Sequence, residues 1–440
     1  MDLLIAFLVF AAAMVLCLLW GAKYAMLAAL SVGLLAFFAV ALHRGFHASD
    51  LVRMAVKGSR RAFIVVRIFV LIGLLTALWR SGGTITFFVY HGIRLIPPRL
   101  FLLAGFGLTC LLGYALGTSF GITGTVGVIL MTLARSGGVP PALMAGVVLS
   151  GAYFGDRTSP ASSCANLVAT VTGTDLYRNV KGMLKSALLP LAVTTVIYGL
   201  LSPRYPLSAG DGALLEIIAH TYDLSLLCAI PAVIMLVLPL FKVNVRTAMA
   251  LSSATAFLLT VFCQGLPVAD TLKACVSGYT PADPALVEIL SGGGLLSMLN
   301  VSCIIILSSA YSGIFEGTRM LDGLQSKLTV LAEKITCCGV MTILSAVTIG
   351  VFCNQTIGIM MIQQLLGPVY EKQGKDAEHM VQDMANTIVV MVALCPWCIA
   401  CAVPLEMLGV GAEAVPRAVL MYLLPLWWLG VRVFQDKIKR

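Results

Sequence analysis

Asp156 lies in an otherwise apolar stretch and is followed at once by Arg157-Thr158-Ser159-Pro160. Ser159, Ser162, Ser163 and Asn166 come next at helical spacing, so their side chains can share one face. A carboxylate among hydroxyl and amide oxygens can hold a proton or a hard cation, one in exchange for the other. A second set, Asp383, Asn386 and Thr387, repeats the i, i+3, i+4 pattern ahead of Pro396. Two polar knots add neutral oxygens and amides: Thr118 and Ser119 within Gly117–Gly121, and Asn354, Gln355 and Thr356 within Cys353–Gly358. The competing structural readings are an Asp156 ion pair with Arg157 or Arg135, and an Asp383 solvated at the end of the charged 371–383 loop. Kinks packed by small residues are the bland reading of the breaks themselves.

What must position these residues is a membrane. The chain has 440 residues, 59% hydrophobic and 11% charged, against about 25% charged in ordinary soluble domains. Apolar stretches of the bilayer-crossing length of about 18 residues or more recur along it. A soluble enzyme, a nucleic-acid module and a disordered adaptor are excluded as classes. The net charge of +9 sits mostly between spans, as the positive-inside bias requires, and does not mark a nucleic-acid partner. The 13 cysteines lie mostly in apolar stretches and form no disulfide framework. The first stretch, 3–22, is too long for a signal-peptide core and is read as a span.

Two charge-free runs, 100–134 and 335–370, are too long for one crossing and short for two. Each carries one of the polar knots at its middle, which reads as a re-entrant hairpin with the knot at its tip. A constant shift of 236 residues maps Arg80 onto Glu316, Thr118 onto Asn354 and Pro160 onto Pro396. The expected fold is therefore all-α, a polytopic membrane protein of two inverted repeats, each with a re-entrant hairpin and an interrupted helix. Its parts are a two-span segment (1–61), a first repeat (62–204), a two-span connector (205–288) and a second repeat (289–440). That makes ten crossings plus two hairpins, in the cell membrane, with both termini on the cytoplasmic side. Irregular backbone at membrane depth must be satisfied by protein or line a wet cavity. The four breaks in paired register therefore point to a polar site.

The remaining motifs carry less. Arg80 and Glu316 could pair across the pseudo-twofold axis or act as a gate, with helix-end anchoring as the ordinary alternative. Cys395-Pro396-Trp397-Cys398 has redox spacing but no cationic setting to activate a thiol, and no His stands near to complete a zinc site. No metal centre and no cofactor is expected. There is no G-x-x-x-x-G-K-[ST] loop for ATP. Gly117–Gly121 formally fits G-x-S-x-G, yet no His lies at membrane depth to serve as base, so the chain is not read as an enzyme. Paired inverted breaks favour alternating access over an open channel.

Ser150-Gly-Ala-Tyr-Phe-Gly-Asp-Arg-Thr-Ser-Pro160, with Asn166-Leu167 and Gly173-Thr174-Asp175-Leu176, resembles the signature of the NhaC family of sodium/proton antiporters. Gly117-Thr-Ser-Phe-Gly121 with Gly124-Thr125-Val126-Gly127 is similar to that family's hairpin, and Asp383 with Pro396-Trp397 to its second-half motif. The resemblance implies a secondary active transporter exchanging sodium for protons, in a superfamily whose members often form homodimers. Two departures stand out. Ser163 occupies a place where the family typically has Asp, and Cys398 one where it has Asn. Fewer hard oxygen ligands weaken the case for a bare cation, so exchange of a small organic acid or amino acid, coupled to protons or sodium, is the alternative reading.

Overall fold

The computed structural model describes residues 5–6, 8–10, 12–13, 16, 25–208, 212–241, 243–318 and 325–439. Most of the first expected span, 3–22, lies outside them. The described chain is helical throughout, apart from loops and one isolated antiparallel bridge between Tyr279 and Gly292. Five described helices are long and apolar enough to cross a bilayer: Pro98–Leu116, Ser119–Ser136, Leu176–Arg204, Val245–Phe262 and Leu295–Phe315. Two further pairs qualify when taken together but are bent, Val66–Ser81 with Thr84–Leu95 by 62° and Ala377–Leu394 with Ile399–Leu408 by 49°. Three shorter apolar helices, Leu27–His43, Leu226–Pro239 and Cys337–Gly350, fall below the spanning length. The ten expected crossings are thus not ten straight helices. Breaks at 82–83, 117–118, 353–354 and 395–398 divide the long apolar runs into shorter pieces.

The 236-residue shift extends to helix boundaries. We name four helices α1 (Phe101–Leu116), α2 (Ser119–Ser136), α3 (Pro141–Thr158) and α4 (Ser163–Thr172). Four more are α5 (Cys337–Phe352), α6 (Gln355–Lys372), α7 (Ala377–Leu394) and α8 (Ile399–Leu408). Adding 236 to the ends of α1 through α4 gives the ends of α5 through α8, residue for residue. The shift also relates the backbone that stops the helices. Gly117 and Cys353 are both left-handed (φ 64° and 52°), and Gly173 and Gly409 both close their helices at φ 64–66°. A left-handed residue satisfies the last carbonyls of a helix and turns the chain away from it.

Both ends of each α1–α2 type pair are held together. Leu207 N–H donates to Pro98 O (3.0 Å) and Ser208 N–H to Gly137 O (2.9 Å), so one short segment ties the start of α1 to the end of α2. In the second set the Cys337 thiol donates to Gln373 Oε1 (3.0 Å), joining the start of α5 to the end of α6.

α1 and α3 cross with backbone against backbone. A Cβ on Gly155 would fall 2.0 Å from Gly113 C, and one on Gly151 would fall 2.0 Å from Thr109 Oγ1. Small residues allow such an approach, which is a main source of helix association in lipid. Gly155→Ala should therefore force α1 and α3 apart and cost about 1–3 kcal/mol, read as a lower Tm in detergent. Gly107→Ala, where an added Cβ meets nothing within 4 Å, should leave Tm unchanged or raise it; equal losses for both would count against the close crossing.

Candidate functional site

The site is built from four helix ends. At the α1–α2 junction Gly117 turns the chain, and Thr118, in extended conformation, caps α2 by accepting the Gly121 N–H on Oγ1 (3.3 Å). Asn354 does the same for α6, its Oδ1 accepting the Ile357 N–H (3.2 Å). α3 stops at Ser159, and after Pro160 the chain restarts at Ser162, whose Oγ accepts the Cys164 and Ala165 N–H groups (3.1 and 3.2 Å). α7 stops before Cys395-Pro396-Trp397, and α8 restarts after Cys398. Each junction packs on the break of its own set. A Cβ on Gly117 would meet Ser162 N at 2.5 Å, while Cys353 O accepts the Ile399 N–H (3.0 Å).

Asp156 sits where the first junction meets the first break, and it is 5% exposed. Ser162 Oγ donates to its Oδ1 (3.2 Å) and Ser119 Oγ lies at hydrogen-bonding distance of its Oδ2 (3.5 Å). Two residues past Ser162, the Cys164 thiol donates to Gln355 Oε1 (3.0 Å) across to the second set. Gln355 in turn donates through Nε2 to Val389 O (2.9 Å). Neither Arg157 nor Arg135 forms an ion pair with Asp156 among the described residues. Arg135 donates to Leu408 O and Gly409 O (2.9 and 2.8 Å), a cation at a helix C-terminus. Arg157 is fully buried and points the other way, donating to Met183 O, Ser186 Oγ, Ala385 O and Asn386 Oδ1 at 2.7–3.0 Å.

The two sets touch through matching contacts. Tyr153 OH donates to Ala400 O. Under the shift Tyr153 corresponds to Val389 (153 + 236) and Ala400 to Cys164 (400 − 236). Gln355, which bridges Val389 and Cys164, thus fills on one side the place that the larger tyrosine occupies on the other. Such reciprocity is what a twofold relation between two units produces. Thr123, which starts a π-helical turn over Thr123–Gly127, reaches Met407 Sδ of α8 (3.3 Å). π turns inside α-helices recur at functional positions.

Not every residue expected at the site is found together. Thr118, Ser119, Asp156, Ser159 and Ser162 cluster, and Gln355 joins them from the second set. Ser159 is fully buried, with Oγ accepting the Ala161 N–H (3.1 Å). Asn166 is turned back on the break, donating to Pro160 O and Ser162 O, and Ser163 and Thr356 are exposed. Asp383 belongs to a different environment. It is 1% exposed, its Oδ1 accepts from Arg432 Nε and Trp428 Nε1 (both 2.7 Å), and its Oδ2 accepts from Tyr370 OH (2.6 Å). It is therefore not a solvated loop residue, and an arginine already stands against its charge. Asn386 receives Arg157, and Thr387 Oγ1 donates back to Asp383 O (2.7 Å). Arg80 is buried and donates to Ser291 O (2.6 Å); the side chain of Glu316, its expected partner, lies outside the described residues. Cys395 and Cys398 are buried, and no disulfide joins the described cysteines.

Sequence reasoning passed over Cys164, Tyr153 and the clamp role of Arg157. The repeat held a signal for two of them. Cys164 lies two residues past the Ser162 cap, and Tyr153 stands at the shifted position of Val389.

The profile described as Na+/H+ antiporter family matches residues 2–202 and 151–434. An uncharacterized Na+/H+ antiporter of Haemophilus influenzae is 27% identical over 369 residues, covering 81% of this chain and 79% of that protein. The malate-2H+/Na+-lactate antiporter of Bacillus subtilis is 27% identical over 344 residues, 76% of this chain and 72% of that one. The Na+/H+ antiporter NhaC of Alkalihalophilus pseudofirmus is 22% identical over 404 residues, 88% and 87% of the two chains. With a match over most of its length, the chain belongs to the Na+/H+ antiporter family.

Proposed function

We propose that this multi-pass membrane protein exchanges sodium for protons by alternating access at the Asp156 pocket. One observation carries the reading: a buried carboxylate is shared by a junction hydroxyl (Ser119) and a break hydroxyl (Ser162), and the other helix set docks on the same break where Gln355 accepts the Cys164 thiol. Intramembrane carboxylates are costly and mark ion pathways. The oxygens of Asp156, Ser119 and Ser162 can take either a proton or a dehydrated sodium ion, not both at once. Thr118, Ser159, Asn354 and Gln355 line or brace the same region, while Asp383 serves to hold the final helix.

The architecture supports alternating access. Ends held together at 98/137 and 337/373 support re-entrant hairpins, each entering and leaving on one side. The matched boundaries of the two helix sets and their reciprocal contacts support repeats of opposite orientation, 62–204 and 289–440, linked by 205–288. The protein is then a cell-membrane antiporter with both termini cytoplasmic.

The second reading, exchange of a small organic acid or amino acid, is favoured by Ser163 standing where a further carboxylate is typical and by the likeness to a malate/lactate antiporter. Reconstitution into vesicles carrying a pH dye separates the two. Sodium and lithium should each drive proton movement, with malate, lactate and amino acids inert. Proton movement with an organic solute and none with sodium would replace the first reading by the second.

A further inference from the structure

We infer that Asp156 is reached in this structure from the Gly173–Asp376 side, along a polar face of α4, and that Arg135 latches the opposite side shut. The inference rests on alternating access at Asp156. Helices α4 and α8 correspond under the 236-residue shift and are both ten residues long, yet α4 buries three of its residues and α8 nine. What α4 leaves exposed includes Ser163, Asn166 and Thr170, which share one face. The counterparts of Ser163 and Asn166 are Ile399 and Ala402, apolar and buried. Amide and hydroxyl groups are costly against hydrocarbon, so this face of α4 lines water. A lipid-facing surface looks different: helix Leu176–Leu201 exposes Leu188, Val196 and Leu200. The α4 face starts at the break, where Asn166 donates to the carbonyl of Ser162, the residue whose hydroxyl donates to Asp156. At its far end a cavity of about 300 Å³ opens beside Gly173, rimmed by Asp175, Arg178, Asp376 and Glu378.

The matching end of α8 is closed. Arg135, at the end of α2, donates to Leu408 O and Gly409 O. A Cβ on Gly409 would fall 2.7 Å from Arg135 Nη2, whereas one on its counterpart Gly173 would meet nothing within 4 Å. The counterpart of Arg135 is Glu371, which is exposed. A carboxylate only accepts hydrogen bonds, so it cannot satisfy the last carbonyls of a helix as a guanidinium does. The bent span formed by α7 and α8 separates Asp376 from Gly409, so the open and closed ends lie on opposite faces of the membrane.

The test is thiol labelling in vesicles, with a membrane-impermeant maleimide supplied to both faces and each rate counted over the wild-type background. A thiol must meet water to ionise and react, so Thr170→Cys should label about tenfold or more faster than Leu188→Cys on the lipid face or Ala402→Cys on α8. Arg135→Gln should raise the Ala402→Cys rate about threefold or more and lower the Thr170→Cys rate, because releasing the latch shifts the population toward the opposite state. Thr170→Cys labelling no faster than Leu188→Cys overturns the open path, and Ala402→Cys labelling as fast as Thr170→Cys overturns the closed side. An Ala402→Cys rate unmoved by Arg135→Gln, or rising together with that of Thr170→Cys, overturns the latch. If Arg135→Gln does not fold, Arg135→Lys, which keeps the charge but lacks the guanidinium fork, is read by the same criteria. Labelling does not depend on transport, so failure of the underlying reading shows separately, as a wild type with no sodium-driven proton movement.

Discussion

Asp156→Asn is expected to bring sodium-driven proton movement down to background, a fall on the order of 100-fold or more, with helix content and detergent Tm close to wild type. The reason is chemical. An amide can accept from Ser162 on its oxygen and donate through its NH2 to the Ser119 hydroxyl in place of accepting from it, so the junction and the break stay docked, but it can neither accept the transported proton nor neutralise a sodium ion. Asp156→Glu restores the charge at a slightly different depth and should recover part of the rate with an altered KM. If Asp156→Asn still exchanges at more than half the wild-type rate, the carboxylate is structural and the pocket lies elsewhere. A variant that simply fails to fold would show the same absence of transport, which is why Tm and gel-filtration behaviour must be measured on the same preparation.

Arg432→Gln is expected to have the largest effect on stability. The Arg432–Asp383 pair is buried, with side chains 9% and 1% exposed, and the guanidinium also lies over the Trp428 ring at 4.7 Å. Removing one partner of a buried pair typically costs about 3–5 kcal/mol, because the other charge is left uncompensated. Asp383 would keep only the bonds from Tyr370 and Trp428, and the final helix, Val419–Lys439, would lose its ion pair with α7. The measurement is thermal unfolding in detergent. The double variant Asp383→Asn/Arg432→Gln removes both charges and should recover a substantial part of the loss, which an additive pair of unrelated defects would not. Asp383→Asn alone should lower Tm yet leave sodium/proton coupling intact. Loss of coupling in a folded Asp383→Asn protein would return Asp383 to the transport pathway.

These two carboxylates show how far the residues speak for themselves. Both were visible as carboxylates ahead of a Pro break with the same i, i+3 polar pattern after each, Asp156 within an apolar stretch and Asp383 at the end of the charged 371–383 loop. Neither setting names the partner of its carboxylate. What separates them is 49 residues away for Asp383, where Arg432 on the last helix closes on it, and 37 away for Asp156, where Ser119 brings a neutral hydroxyl instead. Spacing along one helix gives no access to partners on another, so periodicity cannot say which buried acid is neutralised.

The sequence by itself determined the membrane class, the places where helices must stop, and the internal repeat. Each of these rests on local physics: sparse charge over bilayer-length stretches, Gly and Pro where the backbone must turn, and capping side chains just after. The 236-residue shift needed only three landmarks to be noticed, and the structure extended it to every boundary of eight helices. Tertiary structure alone decided which polar residues lie together, because that depends on how the helix sets dock. Docking turned Arg157 away from its sequence neighbour Asp156 toward Ala385 and Asn386, and placed Gln355 beside Cys164, 191 residues apart. Those contacts come from close packing of whole helices, in which one glycine or one tyrosine sets the approach, and no one-dimensional pattern records that geometry.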